Sequence, residues 1–501
     1  MKMLSRRAFL ASSSAAATVV AVPGISQAQR QLDDPFIAYD AVGMAELVKS
    51  GDVTAAELAE VVIRRAEVLN PALNFMATPT FDRARENATK MSRETRFAGV
   101  PVLVKDMVDV GGVRRTDGSR FLASNVPAQS VAYTAALESS GLNIVGTTVV
   151  PEFANGLDSE LYGAARNPWD LEYSCVASSS GSACAVAAGI VPLAHGTDGG
   201  GSNRLPTSAC NLFGFKPSRG RMLSGETYGG HDVFKTNGPI SRTVRDAAAL
   251  MEVCEDPKGE LAPMGFVEGP SSRRLRIAYT RQGASGFAPP VESVTAVQDN
   301  AVALLQGLGH DVVEIAHPIN GEEYAEKFRW AFLPKFAPML ERAMQISGRG
   351  PLETGLLSHM AATMMVEGLS YTPDQIAQGL AYFESMAGTY ADVFGEFDVI
   401  FSATSPVETP QYGAIRHQDD FAHKGVDLEH ILSMTSPVNA VGDCAMNVPL
   451  GFSAETGMPV GSMFHAPMGH DALLLQLAYE LEQAQPWADQ WAPFSAKHIP
   501  T

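Results

Sequence analysis

The chain has 501 residues, 46% hydrophobic and 18% charged, which is enough apolar material to bury a large core. Its formal net charge of -18 gives a surface that repels phosphate backbones and anionic lipid, so nucleic acid is excluded as an expected partner. Five cysteines (Cys175, Cys184, Cys210, Cys254 and Cys444) are scattered singly, an odd count that makes no disulfide framework.

At the N-terminus, Ser5-Arg6-Arg7-Ala8-Phe9-Leu10 precedes an apolar, Ala-rich run over 11–22, and Ser26-Gln27-Ala28 offers a small-x-small cleavage site. Paired arginines ahead of a moderately apolar stretch are the pattern of a twin-arginine export signal. That pattern implies the twin-arginine machinery as a partner, a mature chain beginning near Gln29 and a periplasmic location. The alternative is a membrane anchor. It needs about 20 apolar residues to span a bilayer, and this run is shorter, so no stable membrane insertion is expected. Residues 1–28 are therefore set apart, and 29–501 are read as one domain.

Apolar residues recur at helical spacing over 41–69, interrupted at Ser50-Gly51-Asp52-Val53-Thr54, where Thr54 and Glu57 predict a capping box opening a second helix. The run 101–104 predicts a buried strand ending at Lys105. A helix over 132–140 capped by Gly141, a strand over 143–145, a helix over 184–190 closed by Gly189 and a strand over 191–194 follow. Strand and helix alternate to about Val253, which predicts a layered α/β sheet with helices on both faces. Over 320–396 the pattern changes to long helical segments rich in Met, Phe and Trp, read as a helical insertion. Strand signals return at 397–402 and 461–464, before a closing helix over 472–483.

The densest chemical signal lies in 173–221. Gly199-Gly200-Gly201-Ser202 delivers a serine on residues without side chains, which lets successive backbone N–H groups converge on one point as an oxyanion hole requires. A phosphate-binding turn would use similar glycines, but the Gly-x-x-x-x-Gly-Lys and Gly-x-Gly-x-x-Gly contexts are missing. A second cluster, Ser178-Ser179-Ser180, stands at a strand-to-helix junction where serine is also favoured simply as an N-cap. No Cys-x-x-Cys pair or His-Glu-x-x-His helix appears, so neither a metal nor a cofactor is expected.

In this segment VASSSGS, AAG, GTDGGGSNRLPT and CNLFGFKPSRGR follow in the order and spacing of the amidase signature, and the chain resembles that family. GVPVLVKDMVDVGG and YGAARNPWD upstream, with FDVIFSATSPV and VPLGF downstream, extend the resemblance from about Ala38 to Trp487. It implies a single-domain α/β amidase signature fold, a mixed β-sheet core covered by helices on both faces. It also implies hydrolysis of a carboxamide in a small-molecule substrate. Ser202 takes the place of the acyl-forming nucleophile and Ser178 that of a proton relay preceded by a cis peptide bond. Lys105 takes the place of the base, and the oxyanion donors fall on the backbone amides of Gly199, Gly200, Gly201 and Ser202.

Physical chemistry supports these roles. A serine hydroxyl is a poor nucleophile until a base removes its proton, and a lysine serves as base only when burial disfavours its charged form. Three positions depart from the family pattern. Ala177 replaces Gly before the relay serine, Ser180 replaces a Gly, and Asn203 replaces Ile or Val after the nucleophile.

Plainer readings stand beside these. Ser179 or Ser180 takes the relay role if the register shifts, and an N-cap role for Ser178 stays open. Asp198 reads as structural, bonding amides under the glycine turn, and His195 as a satisfied core residue rather than a triad base. Cys184 and Cys210 read as small core residues, and the Met and aromatic cluster of 328–365 as core or as a cover for an apolar substrate.

In the family, LVKSGDVTAAEL, LNPALN and RNPWDL most resemble the aminohexanoate cyclic-dimer hydrolases. Cyclic or linear oligoamides, aryl amides, carbamates and esters are the substrate classes implied. The rivals are a glutaminase-type amidotransferase subunit and a catalytically silent binding homologue. A homodimer is left open.

Overall fold

A computed structural model describes residues 34–157, 159–225, 234–412, 414 and 428–498. The export signal expected over 1–28 lies outside the described residues.

Eleven strands form one mixed sheet: β1 (Met76–Pro79), β2 (Pro101–Lys105), β3 (Asn143–Thr148), β4 (Leu193–Asp198), β5 (Phe213–Lys216), β6 (Thr236–Ser241), β7 (Arg276–Tyr279), β8 (Asp311–Glu314), β9 (Val399–Ala403), β10 (Cys444–Phe452) and β11 (Pro459–Ala466). Their order is β1-β3-β2-β4-β6-β5-β10-β11-β9-β7-β8. β2 runs parallel to β3 and β4, and β7 parallel to β8 and β9, whereas β6, β5, β10 and β11 pair antiparallel through the middle.

The helices in chain order are α1 (Ala41–Ser50), α2 (Ala55–Leu73), α3 (Phe81–Ala88), α4 (Ala132–Ser139), α5 (Ser180–Ala187), α6 (Arg204–Ala209), α7 (Val244–Cys254), α8 (Glu292–Gly307), α9 (Gly321–Phe332), α10 (Ala337–Ser347), α11 (His359–Ser370), α12 (Pro373–Phe394), α13 (Leu428–Leu432), α14 (Ser436–Val441) and α15 (Asp471–Ala484). The break between α1 and α2 falls where the sequence predicts it. Gly51 takes the left-handed region at φ 81, and Thr54 and Glu57 cap each other reciprocally.

Strand periodicity sorts the core into two faces. Val102 and Val104 of β2 pack in a cluster with Met44 and Val48 of α1, residues of α7, and Leu474 and Leu481 of α15. Leu103, pointing the other way, packs with Val62 and Ala66 of α2, Ala183 of α5 and Leu205 of α6. The predicted sheet with helices on both faces is therefore present. The helical segments expected over 320–396 are α9 to α12, between β8 and β9.

Two expectations shift. The strand placed at 191–194 is β4, Leu193–Asp198, and the helix placed at 184–190 is α5, which starts four residues earlier at Ser180 with Ser179 as its N-cap. The extension takes in the polar residues His195, Thr197 and Asp198. They sit fully inside the sheet because each finds hydrogen-bond partners there. The short strands β1, β7 and β8 have four residues each and carry too little periodicity to be picked out singly.

Candidate active site

Lys105 is the last residue of β2, and period-two alternation carries it to the face of Leu103, where α5 and α6 pack. It is wholly buried. Its Nζ lies 2.7 Å from Ser178 Oγ and 2.8 Å from Thr197 Oγ1, with the Thr197 carbonyl at 3.5 Å. Burial pushes the amine pKa well below the usual lysine range. The positive charge of Lys235 adds to this, and the carboxylates of Asp198 and Asp117 oppose it. A neutral amine has two hydrogens to donate and one lone pair, which suits two threonine acceptors and one serine hydroxyl.

Ser178 follows a cis peptide bond from Ala177, as the family resemblance implies, and is also wholly buried. The next residue ties the two serine segments together, because the Ser179 N–H donates to the Ser202 carbonyl at 3.3 Å. Its hydroxyl lies 3.3 Å from the Thr197 N–H, 3.2 Å from the Thr197 carbonyl and 3.4 Å from Asn203 Oδ1.

The glycine turn is braced from below. Asp198 Oδ1 accepts from the Gly201 N–H at 2.8 Å and Oδ2 from the Asn203 N–H at 3.1 Å. Arg204 grips the same carboxylate with Nε and Nη2, both at 2.9 Å, and Asn439 Nδ2 adds a bond at 2.9 Å. Burial alone would raise the Asp198 carboxyl, but the Arg204 guanidinium and these bonds hold it well below the usual carboxylate range. Asp198 is thus structural, as its place in the sequence suggests.

At Gly201 φ is 134, and a Cβ there would meet Thr435 Oγ1 at 2.3 Å, so no other residue fits. That threonine hydroxyl donates to the Gly200 carbonyl at 2.6 Å.

Ser202 emerges from this turn half-buried, beside half-buried Gly199 and Gly200. Of the four amides expected to bind an oxyanion, the Gly201 N–H is engaged by Asp198, whereas those of Gly199, Gly200 and Ser202 have no acceptor among the described residues. The Ser202 hydroxyl likewise has no partner among the described residues, so the Ser178 to Ser202 contact is not closed in this structure. Such contacts commonly tighten only when substrate fills the site.

His195 is no base. Its Nδ1 accepts the Lys105 backbone N–H at 3.3 Å, its Nε2 lies 3.1 Å from Asn237 Oδ1, and burial pulls its pKa down to about 3. Cys175, Cys184 and Cys210 are buried, and burial pushes their thiols up, so they stay protonated. Among the described residues no group of three or more His, Cys, Asp or Glu side chains is arranged to hold a metal.

Sequence reasoning missed Thr197, Thr435 and Asn439. Thr197 lies inside the Gly-Thr-Asp run and had a local signal. Asn439 reaches Asp198 across 241 positions of chain and had none.

A cavity lined by Val176, Leu205, Ala209, Val407, Ile431 and Val460, with Ser208, Ser405, Glu408 and Thr409 among its polar members, lies between the segments leading to Ser178 and away from Ser202. On another side, Asn439 Nδ2 donates to the carbonyl of Phe234, whose ring packs against Phe328, Phe332 and Phe383 of the insertion.

Comparison with known proteins identifies the family. The family described as Amidase matches residues 57–475. A Mycobacterium tuberculosis protein with the provisional name amidase AmiC is 35% identical over 485 residues, 94% of this chain and 99% of that one. The 6-aminohexanoate-cyclic-dimer hydrolase of Paenarthrobacter ureafaciens is 32% identical over 480 residues, covering 89% of this chain and 95% of its own. A solved structure of 6-aminohexanoate cyclic dimer hydrolase superposes with a TM-score of 0.84 at 30% identity, covering 93% of this chain and 100% of that one. The chain belongs to the amidase family and is a hydrolase acting on the carbon–nitrogen bonds of amides.

Proposed function

We propose that Ser202 attacks the amide carbonyl, that Ser178 relays its proton to Lys105, and that the substrate is a small, apolar or oligomeric amide, cyclic forms included. The Ser202 hydroxyl adds to the carbonyl carbon while its proton passes to Ser178 Oγ and the Ser178 proton to Lys105 Nζ. The negative charge that develops on the carbonyl oxygen is met by the amides of Gly199, Gly200 and Ser202. When the tetrahedral species collapses, the proton returns through Ser178 to the leaving nitrogen, and an amine departs. Water then cleaves the ester to Ser202 by the same proton route in reverse, releasing the carboxylic acid.

The observation that carries this reading is the dry lysine. Lys105 is wholly buried, 2.7 Å from Ser178, with its pKa driven down by burial, and it forms no ion pair among the described residues. The substrate class rests on relatives named for cyclic-dimer hydrolysis.

A panel of aryl amides and linear and cyclic oligoamides, run beside Ser202→Ala, tests the proposal. Turnover and fluorophosphonate labelling are both expected to vanish in the variant. Amide cleavage that survives it would remove Ser202 from the mechanism.

We further propose export by the twin-arginine route to the periplasm, on the strength of Arg6-Arg7 and the apolar run that follows them. Cell fractionation of an Arg6→Lys, Arg7→Lys double variant is expected to strand the protein in the cytoplasm. Unchanged fractionation would rule the route out.

A further inference from the structure

The residue after the proposed nucleophile is an asparagine sealed inside the sheet. Asn203 is wholly buried, and its Nδ2 donates to the Phe215 carbonyl of β5 at 3.0 Å. Its Oδ1 accepts from the Ser179 hydroxyl at 3.4 Å, a long bond that this hydroxyl shares with the Thr197 carbonyl. Space for the amide comes from a pair of glycines facing each other across two strands, Gly196 of β4 and Gly238 of β6. A Cβ on Gly196 would stand 2.2 Å from Asn203 Oδ1, and one on Gly238 would stand 2.6 Å from Asn203 Nδ2. The amide therefore fills a slot that only this glycine pair leaves open.

What the slot connects is functional. One end of the Asn203 side chain holds β5, the other touches Ser179, and the Asn203 backbone N–H is bonded to Asp198. Ser179 reaches the Thr197 backbone, and the Thr197 side chain is 2.8 Å from Lys105 Nζ. A chain of polar contacts of 2.8 to 3.4 Å thus runs from the neighbour of Ser202 to the amine of Lys105, in a place where an apolar residue would give packing without direction.

We propose that Asn203 is a positioning residue that fixes Ser202 relative to the Ser178 and Lys105 pair, so that it acts on the chemical step and not on substrate binding. The inference rests on the reading of Ser202 as nucleophile.

The test is Asn203→Leu, which keeps the branching of the side chain and removes both polar contacts. It is combined with Ser179→Ala in a double-mutant cycle on an aryl amide substrate. Active sites are counted by fluorophosphonate labelling, so turnover is expressed per folded, competent molecule.

The expected result for Asn203→Leu is a fall in kcat of about tenfold or more with KM within about twofold, since an interaction that matters only to the reacting geometry lowers kcat and leaves binding alone. The double variant is expected to be no slower than the worse single variant to within about twofold, because both substitutions interrupt one chain of contacts. Wild-type kcat per labelled site in Asn203→Leu would overturn the proposal, even if the melting temperature falls, since that is the signature of a merely structural residue. Fully multiplicative losses in the double variant would overturn it too. If Asn203→Leu cannot be recovered folded, Asn203→Ala and Ser179→Ala carry the same cycle. Activity that persists in Ser202→Ala would sink the nucleophile reading itself, and so the two failures are distinguishable.

Discussion

The glycine turn and the helical insertion are linked through Asn439 and Phe234 and are held by opposite means. The turn from Asp198 to Arg204 is fixed by directional bonds: one carboxylate gathers two backbone amides, a guanidinium and an asparagine, all buried. The insertion is held by rings. Phe234 lies 5.5 Å from Phe383, 5.6 Å from Phe328 and 5.7 Å from Phe332, and Phe328 stacks on Phe332 at 4.8 Å. Hydrogen bonds and a buried ion pair define atomic positions tightly and fail abruptly when one member is lost. Aromatic packing is less directional and accommodates a change of shape at a graded cost. The division predicts abrupt losses when the turn is altered and graded ones when the insertion is.

Breaking the turn at its base should give the largest effect. Lys105→Met is expected to lower kcat by about a thousandfold or more, from loss of the proposed general base, while leaving the fold intact because a buried amine is replaced by an apolar chain of similar length. Purified variant assayed at neutral pH checks this. In the wild-type enzyme the proposed role of Lys105 predicts an acid limb: activity full above its depressed pKa and lost as pH falls through it, because only the neutral amine accepts a proton. A pH–rate profile whose acid limb persists in Lys105→Met would transfer the limb to another group.

Next comes the clamp. Arg204→Met strands the Asp198 carboxylate, with both side chains wholly buried in the native protein. Removing one partner of such a pair costs about 3–5 kcal/mol, read as a shift in the urea midpoint, and activity is expected to be lost with it. A variant as stable as wild type would show that Asn439 and the backbone amides suffice.

The insertion should respond differently. Phe383→Ala deletes a ring that is 5% exposed and is expected to cost about 3 kcal/mol of stability. On a small aliphatic amide its kcat should stay within about threefold of wild type, and KM for an aryl amide should rise about tenfold, or 1.4 kcal/mol of lost contact. A matched collapse of kcat on both substrates would erase the distinction between the two regions.

The smallest effect lies outside both and serves as a control. Glu482 accepts a bond from the Val244 N–H at 3.0 Å, and burial, with the nearby Asp40 charge, raises its carboxyl from 4.5 to about 7. The folded state therefore holds a proton that the unfolded chain releases. This contribution is fully present below about 4.5 and is lost as pH rises through about 7. Glu482→Gln keeps the acceptor and removes the titration. It should be more stable than wild type by about 1–2 kcal/mol at mildly alkaline pH, and nearly equal to it in mild acid, with kcat unchanged. Unfolding curves at two pH values decide it.

Much of the site was legible in the linear chain because its parts are local. A glycine run ending in Ser202, three serines ahead of a small-residue helix and a lysine closing an apolar strand are patterns of adjacent residues, and the capping box at Thr54 and Glu57 is set by a spacing of three. Alternation along β2 also determined which face Lys105 would occupy. Three features were decided only by folding, because each depends on atoms that the chain does not keep together. The low pKa of Lys105 needs the burial that the sheet and its covering helices provide together. The turn needs Thr435 and Asn439, which lie more than 230 positions beyond it, and the slot for Asn203 needs Gly196 and Gly238 to face each other across paired strands. Residue identity and spacing set what each group is able to do, whereas burial, charge balance and free amides are sums over neighbours, and only the tertiary structure supplies the neighbours.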